Sequence, residues 1–95
     1  MAAIVLIRIQ VPDYDKWRGA FDSHTDLRKS FGCTGTHIFR NAHNASEVVV
    51  NLQWDSEENA QRFFSSDELR AAMQEAGMTA PPEVTFLEDA GRTAS

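Results

Sequence analysis

The chain reads as an α+β domain of ferredoxin-like type, β-α-β-β-α-β, with an antiparallel four-stranded sheet carrying both helices on one face. Three observations predict this. Four short segments rich in β-branched residues alternate with two stretches of helical apolar spacing, in the order this layout requires. The second and third of those segments are joined by a short polar connector, as in an antiparallel hairpin. Ninety-five residues supply one core and not two, so residues 1–88 are expected to form a single domain, with a flexible tail at 89–95.

Ala3–Gln10 (AIVLIRIQ) is almost continuously apolar, the mark of a strand covered on both faces. Pro12 ends it, and Asp13 is placed to cap a helix. From Asp13 to Phe31 the apolar residues recur as Trp17, Ala20, Phe21, Leu27 and Phe31, which predicts one long helix. Gly32 can take the left-handed conformation that closes it. Thr34–Arg40 (TGTHIFR) is the second strand, Asn41–Ser46 (NAHNAS) the connector and Glu47–Trp54 (EVVVNLQW) the third strand. Asp55 or Ser56 caps a second helical stretch with Ala60, Phe63 and Phe64 inward. A capping box of Ser65 with Glu68 restarts it, Leu69, Ala72, Met73 and Ala76 forming its apolar face before Gly77. Pro81-Pro82 stops any helix and leads into the last strand, Glu83–Leu87.

Helices can cover only one face of such a sheet. Yet Val5, Ile7 and Ile9 alternate with Ile4 and Leu6, and Val48, Val50 and Leu52 with Val49, so both faces carry apolar side chains. Soluble monomers rarely leave a large apolar patch in water, and two-fold dimers are the commonest closed assembly. A homodimer is expected.

The net charge of −5, with carboxylates spread along the chain, argues against nucleic acid, which needs a concentrated basic patch. The single cysteine, Cys33, excludes an internal disulfide and has no nucleophile signature around it. The apolar run Ala2–Ile7 is too short for a signal sequence or a membrane span, which makes the cytoplasm the expected location.

His24 falls on the apolar stripe of the first helix, and Arg28 lies one turn further on. A histidine there is either held by a protein partner or faces a cavity. In the second case it is a proton carrier, with Arg28 to stabilise an oxyanion. In the first, His24 bonds a strand carbonyl and Arg28 pairs with Asp13, Asp22 or Glu88. His37 shares a strand face with Phe39 and would approach His24 if the helices cover that face. Asn51, with Gln53, interrupts an apolar strand and needs a partner, either in the protein or in a ligand. Trp17, Phe21, Trp54 and Phe63, with Phe64 and Met73, are candidate walls for a flat aromatic ligand, although aromatics at this spacing usually serve the core. His24, His37 and a carboxylate would compose an iron-type triad, but no metal-ligand spacing accompanies them, so no metal is expected. Phosphate-cradling glycine loops and serine-nucleophile motifs are absent as well.

The chain resembles the dimeric α/β-barrel superfamily, in particular small actinobacterial proteins labelled antibiotic-biosynthesis-monooxygenase-like or "cyclase". The resemblance is carried by V-P-D-Y-D-K-W at Val11–Trp17, F-D-S-H-T-D-L-R at Phe21–Arg28, F-R-N-A at Phe39–Ala42 and E-V-V-V at Glu47–Val50. W-D at Trp54–Asp55 and A-G-M-T-A-P-P-E-V at Ala76–Val84 complete it. It implies a dimer whose two sheets close into a barrel, with one pocket per subunit between sheet and helices. It also implies a cofactor-independent enzyme of aromatic or polyketide secondary metabolism, oxygenating or cyclising a small enolisable substrate. No catalytic motif carries over residue by residue, so His24, Arg28 and His37 as catalytic groups rest on placement alone. The alternative function is a non-catalytic small-molecule-binding or dimeric interaction module on the same scaffold.

Overall fold

Strand pairing decides which half of each strand the helices cover. The computed structural model describes residues 2–78 and 80–94. Met1, Thr79 and Ser95, at the edge of the expected domain, in its Ala76–Val84 segment and at the end of its tail, lie outside the described residues. The strands are β1 (Ala3–Gln10), β2 (Cys33–Asn41), β3 (Asn44–Trp54) and β4 (Glu83–Leu87), in the antiparallel order β2-β3-β1-β4. Val5 pairs with Leu52, Ile7 with Val50 and Ile9 with Val48, so these six side chains share one face. Thr36 and Ile38 of β2 and Val84 and Phe86 of β4 extend that face across the sheet. The helices lie over it, and Val5, Ile9, Val48, Val50, Leu52 and Trp54 are its buried centre. The hairpin is tighter than expected: β3 begins at Asn44, which pairs with Asn41 across an Ala42–His43 turn. Asn41 Oδ1 accepts from the His43 amide and Asn44 Oδ1 from the Ser46 amide, so the asparagines close the turn themselves.

The long helix expected over Asp13–Phe31 is broken. α1 spans Tyr14–Ser23 and α2 spans Thr25–Phe31, with His24 between them at φ −102°, ψ 17°. Side chains occupy the carbonyls that a continuing helix would use. Ser23 Oγ donates to the Ala20 carbonyl at 2.8 Å and His24 Nδ1 lies 2.7 Å from the same oxygen. Thr25 Oγ1 donates to the Asp22 carbonyl at 2.8 Å, and Arg28 Nη1 to the Phe21 carbonyl at 2.7 Å. The His24 amide is left with the Phe21 carbonyl, three residues back, and the chain turns. Asp13 caps α1 through the Lys16 amide as expected. Gly32 ends α2 at φ +107°, and a Cβ there would also collide with the Asp55 carboxylate.

The second helical layer is likewise two pieces, α3 (Glu57–Phe64) and α4 (Asp67–Glu75). Ser56 caps α3. Ser66, not Ser65, caps α4, because Ser65 still belongs to the end of α3 and bonds back to the Gln61 carbonyl. Leu27, Phe31, Phe64 and Leu69 pack onto the buried face of the sheet. Residues 88–94 form neither helix nor strand, and no helix of the described residues is long and apolar enough to cross a membrane.

Candidate functional site

Between the sheet and the bent helical layer lies an apolar hollow of about 70 Å³. Ile7, Ile9 and Leu52 form its floor; Trp17, Phe21 and Leu27 form one wall, and Phe63, Phe64, Met73 and Met78 the other. His24 and Arg28 are the ionisable side chains that reach it. His24 reaches it from the break between α1 and α2. Its imidazole sits at the seam between the α1–α2 junction and the end of α4, with 24 % of the side chain exposed.

The ring has a defined polarity. A carbonyl can only accept, so the 2.7 Å contact with Ala20 puts the proton of a neutral ring on Nδ1. Nε2 then carries the lone pair, and the Glu75 carboxylate lies 3.6 Å from it. His24 is therefore held by the backbone at Nδ1 and faces the Glu75 carboxylate at Nε2. Glu75 was not foreseen from the sequence, where it lies fifty-one positions away on an exposed helix end. The Ser23-His24-Thr25 triplet was the legible signal for the break, since such side chains compete for helix carbonyls.

Arg28 is only 6 % exposed, and no carboxylate pairs with it among the described residues. Asp13, Asp22 and Glu88, the partners considered from sequence, form no ion pair with it. Its guanidinium instead stacks on the Phe21 ring at 3.7 Å and donates to the Phe21 carbonyl and to Thr25 Oγ1. Burial pulls its pKa below the usual arginine range, with the charges of Cys33 and Asp22 opposing the shift. An arginine starts so high that it stays charged at neutral pH. Burial also pushes the Cys33 thiol up, against a backbone hydrogen bond of Gly35 and the charge of nearby Arg28.

Three other candidates stand elsewhere. His37 pairs with Asn51 and lies on the sheet face away from the helices, so it does not approach His24 across the hollow. Asn51 shares that face, and its buried Oδ1 has no hydrogen-bond partner. Period two placed His37 with Phe39 correctly, but the neighbours on β3 decided which face they share. Trp54 is on the helix side yet fully buried behind Phe63 and Phe64, out of contact with the hollow, its indole N–H unpaired. Trp17, Phe21 and Phe63 do line it. Among the described residues, no three His, Cys, Asp or Glu gather in a group that could hold a metal ion.

Sheet order and helix placement define the ferredoxin-like α+β class, here with an apolar hollow and a histidine–arginine pair at its rim. The chain belongs to the antibiotic biosynthesis monooxygenase family, which matches residues 1–75. Solved structures similar to it include SnoaB, a cofactor-independent oxygenase from Streptomyces nogalater, with a TM-score of 0.80 and 9 % identity over 99 % of this chain and 98 % of that one. A Bordetella bronchiseptica protein named for the same family has a TM-score of 0.78 and 16 % identity, covering 93 % of this chain and 96 % of its own. Rv0793 from Mycobacterium tuberculosis has a TM-score of 0.68 and 21 % identity over 100 % of both chains. At these identities the likeness establishes the shared fold. No curated protein matches the chain.

Proposed function

We propose that this chain is a cofactor-independent oxygenase that acts on a small enolisable aromatic compound, with His24 as the base and Arg28 as the oxyanion partner. The observation that carries this reading is the His24 ring at the rim of an apolar hollow, held through Nδ1 on the Ala20 carbonyl with the Glu75 carboxylate 3.6 Å from Nε2. Removal of a proton next to a carbonyl leaves an enolate, whose negative oxygen the buried Arg28 cation would stabilise. Glu75 would stabilise the imidazolium that forms. The electron-rich enolate then serves as the reductant of dioxygen. For a CH₂ beside aromatic rings, the carbon gains one oxygen atom as a carbonyl and the other leaves as water with the two hydrogens. The electrons come from the substrate, so no flavin or metal is required by the balance.

Anthrone is a suitable probe, because its CH₂ is acidic and its oxidation to anthraquinone follows that stoichiometry. Oxygen uptake should match anthraquinone formation one to one. His24→Ala should lower the rate by a factor of about 10²–10⁴ while leaving the far-ultraviolet spectrum unchanged. Full turnover by the variant would sink the assignment, and His37, on the other face, offers no replacement from within the same hollow.

We further propose that the working form is a homodimer joined through the uncovered sheet face. Support comes from Phe39 and Leu87, 47 % and 41 % exposed on that face, and from the unpaired Asn51 Oδ1 beneath them. A facing copy would cover the Phe39 ring and the Leu87 side chain.

A further inference from the structure

A hollow of about 70 Å³ is small beside the roughly 300–1,000 Å³ of ordinary ligand pockets. A larger space lies on the other side of Arg28. It is an open groove of about 380 Å³ between the α1–α2 junction and the edge strand β2. Phe21 and Arg28 line both spaces and form the partition between them. The groove also differs from the rest of the molecule in charge. The chain as a whole carries −5, yet Arg18, Arg28 and Lys29 face the groove against the single carboxylate of Asp22. Arg18 and Asp22 hold each other, Nε to Oδ1 at 3.0 Å. Arg28 and Lys29 are left without an ion pair among the described residues.

Arg28 has five N–H donors, of which the Phe21 carbonyl and Thr25 Oγ1 engage two. Its flat guanidinium is immobilised on Phe21, and burying such a charge without a counter-ion is unfavourable unless a ligand supplies one. The planar fork pairs bidentately with carboxylate and phosphate alike, so the apolar lining of the groove, rather than the fork, sets an organic acid apart from an inorganic anion. Thr36 of β2 adds a polar contact, and Phe21 and Ile38 an apolar floor.

We infer that the groove binds the carboxylate of a planar organic acid, with Arg28 as its anchor and the ring directed along Phe21 toward the hollow. The inference builds on the oxygenase reading, for which it names the substrate class as aromatic acids.

Benzoate, with benzyl alcohol as its uncharged counterpart, tests this on the full chain at constant ionic strength. Benzoate should bind at least about tenfold more tightly than the alcohol, and Arg28→Gln should abolish the preference. Lys29→Gln, an exposed change, should weaken benzoate only about two- to threefold. If Arg28→Gln fails to fold, amide shifts in the unaltered protein decide: benzoate should move Thr25, Lys29, Thr36 and Ile38. Equal affinity for the two probes, shifts located elsewhere or no saturable binding at millimolar benzoate would overturn the inference. Competition by inorganic phosphate as strong as by benzoate would overturn the preference for a planar acid. His24→Ala should bind benzoate normally, which separates the two readings. Arg28-dependent binding beside full turnover by that variant would remove the base and leave the groove standing.

Discussion

The two faces of the sheet are built from the same four strands and have opposite fates. On the helix side, Val5, Val48, Val50 and Trp54 are sealed from water. On the other side, Leu6 and Ile4 sit among His37, Asn51, Gln53 and Arg8, and Phe39 is open to solvent. The covered face is a conventional core whose apolar residues run across three strands without interruption. The uncovered one is a mosaic of apolar and polar side chains, such as Phe39 beside Val49 and His37 beside Asn51. Such a surface suits an interface better than a core, because exposed polar groups such as His37 and Arg8 remain hydrated when no copy faces them. The difference teaches that apolar residues at every position of a strand do not imply equal burial on both sides.

Truncation should expose the contrast most strongly. Leu52→Ala on the covered face should cost about 2–5 kcal/mol in denaturant unfolding. Leu6→Ala, its counterpart across β1 on the other face, should cost well under half of that in dilute protein. Its loss should grow with protein concentration if a dimer covers it. Equal losses at every concentration would mean that the faces are not different in the way described.

A smaller effect is expected at the exposed ring. In light scattering the unaltered protein should weigh two chains at micromolar concentration. Phe39→Asp should weaken that association by about tenfold or more, with the stability of the separated chain changed by no more than about 0.5 kcal/mol. A monomeric starting protein would remove the interface and require another explanation of Asn51 and Phe39.

The smallest effect concerns the edge of the covered face. Cys33 pairs with Trp54 on the helix side, and burial raises its pKa above the ordinary value of 9.0. The folded state thus holds the thiol proton more tightly than the unfolded chain. The associated stability is complete below pH 9 and is lost as pH rises through the folded-state value. Cys33→Ala should flatten this alkaline decline when thermal melts are compared across that range. An unchanged decline would place its origin in another group.

Much of this molecule was legible one segment at a time. The bounds of β1 and β4, the Asp13 cap, the Gly32 stop and the restart before Leu69 follow from local rules of side-chain pattern and backbone freedom. Those rules involve neighbours within about one helical turn, so sequence alone suffices for them. The pairing of His24 with Arg28 as the ionisable groups of one hollow was legible for the same reason. The break at His24 was local too, but it turned on a contest for three carbonyls that periodicity does not weigh.

Other features were settled only when distant segments met. Period two puts His37 and Phe39 on one side of β2, and cannot say which side the helices will take; the register with β3 turned them outward. Trp54 looked like a wall and became deep core because Phe63 and Phe64 stand in front of it. Glu75 reached His24, and Arg28 came to divide the apolar hollow from the groove beside β2, through packing of helices far apart in the chain. The sequence by itself determined the elements and their order, because those depend on each residue's own backbone and side-chain preferences. Tertiary structure decided burial, face and partner, because these depend on which surfaces are pressed together once the chain has closed.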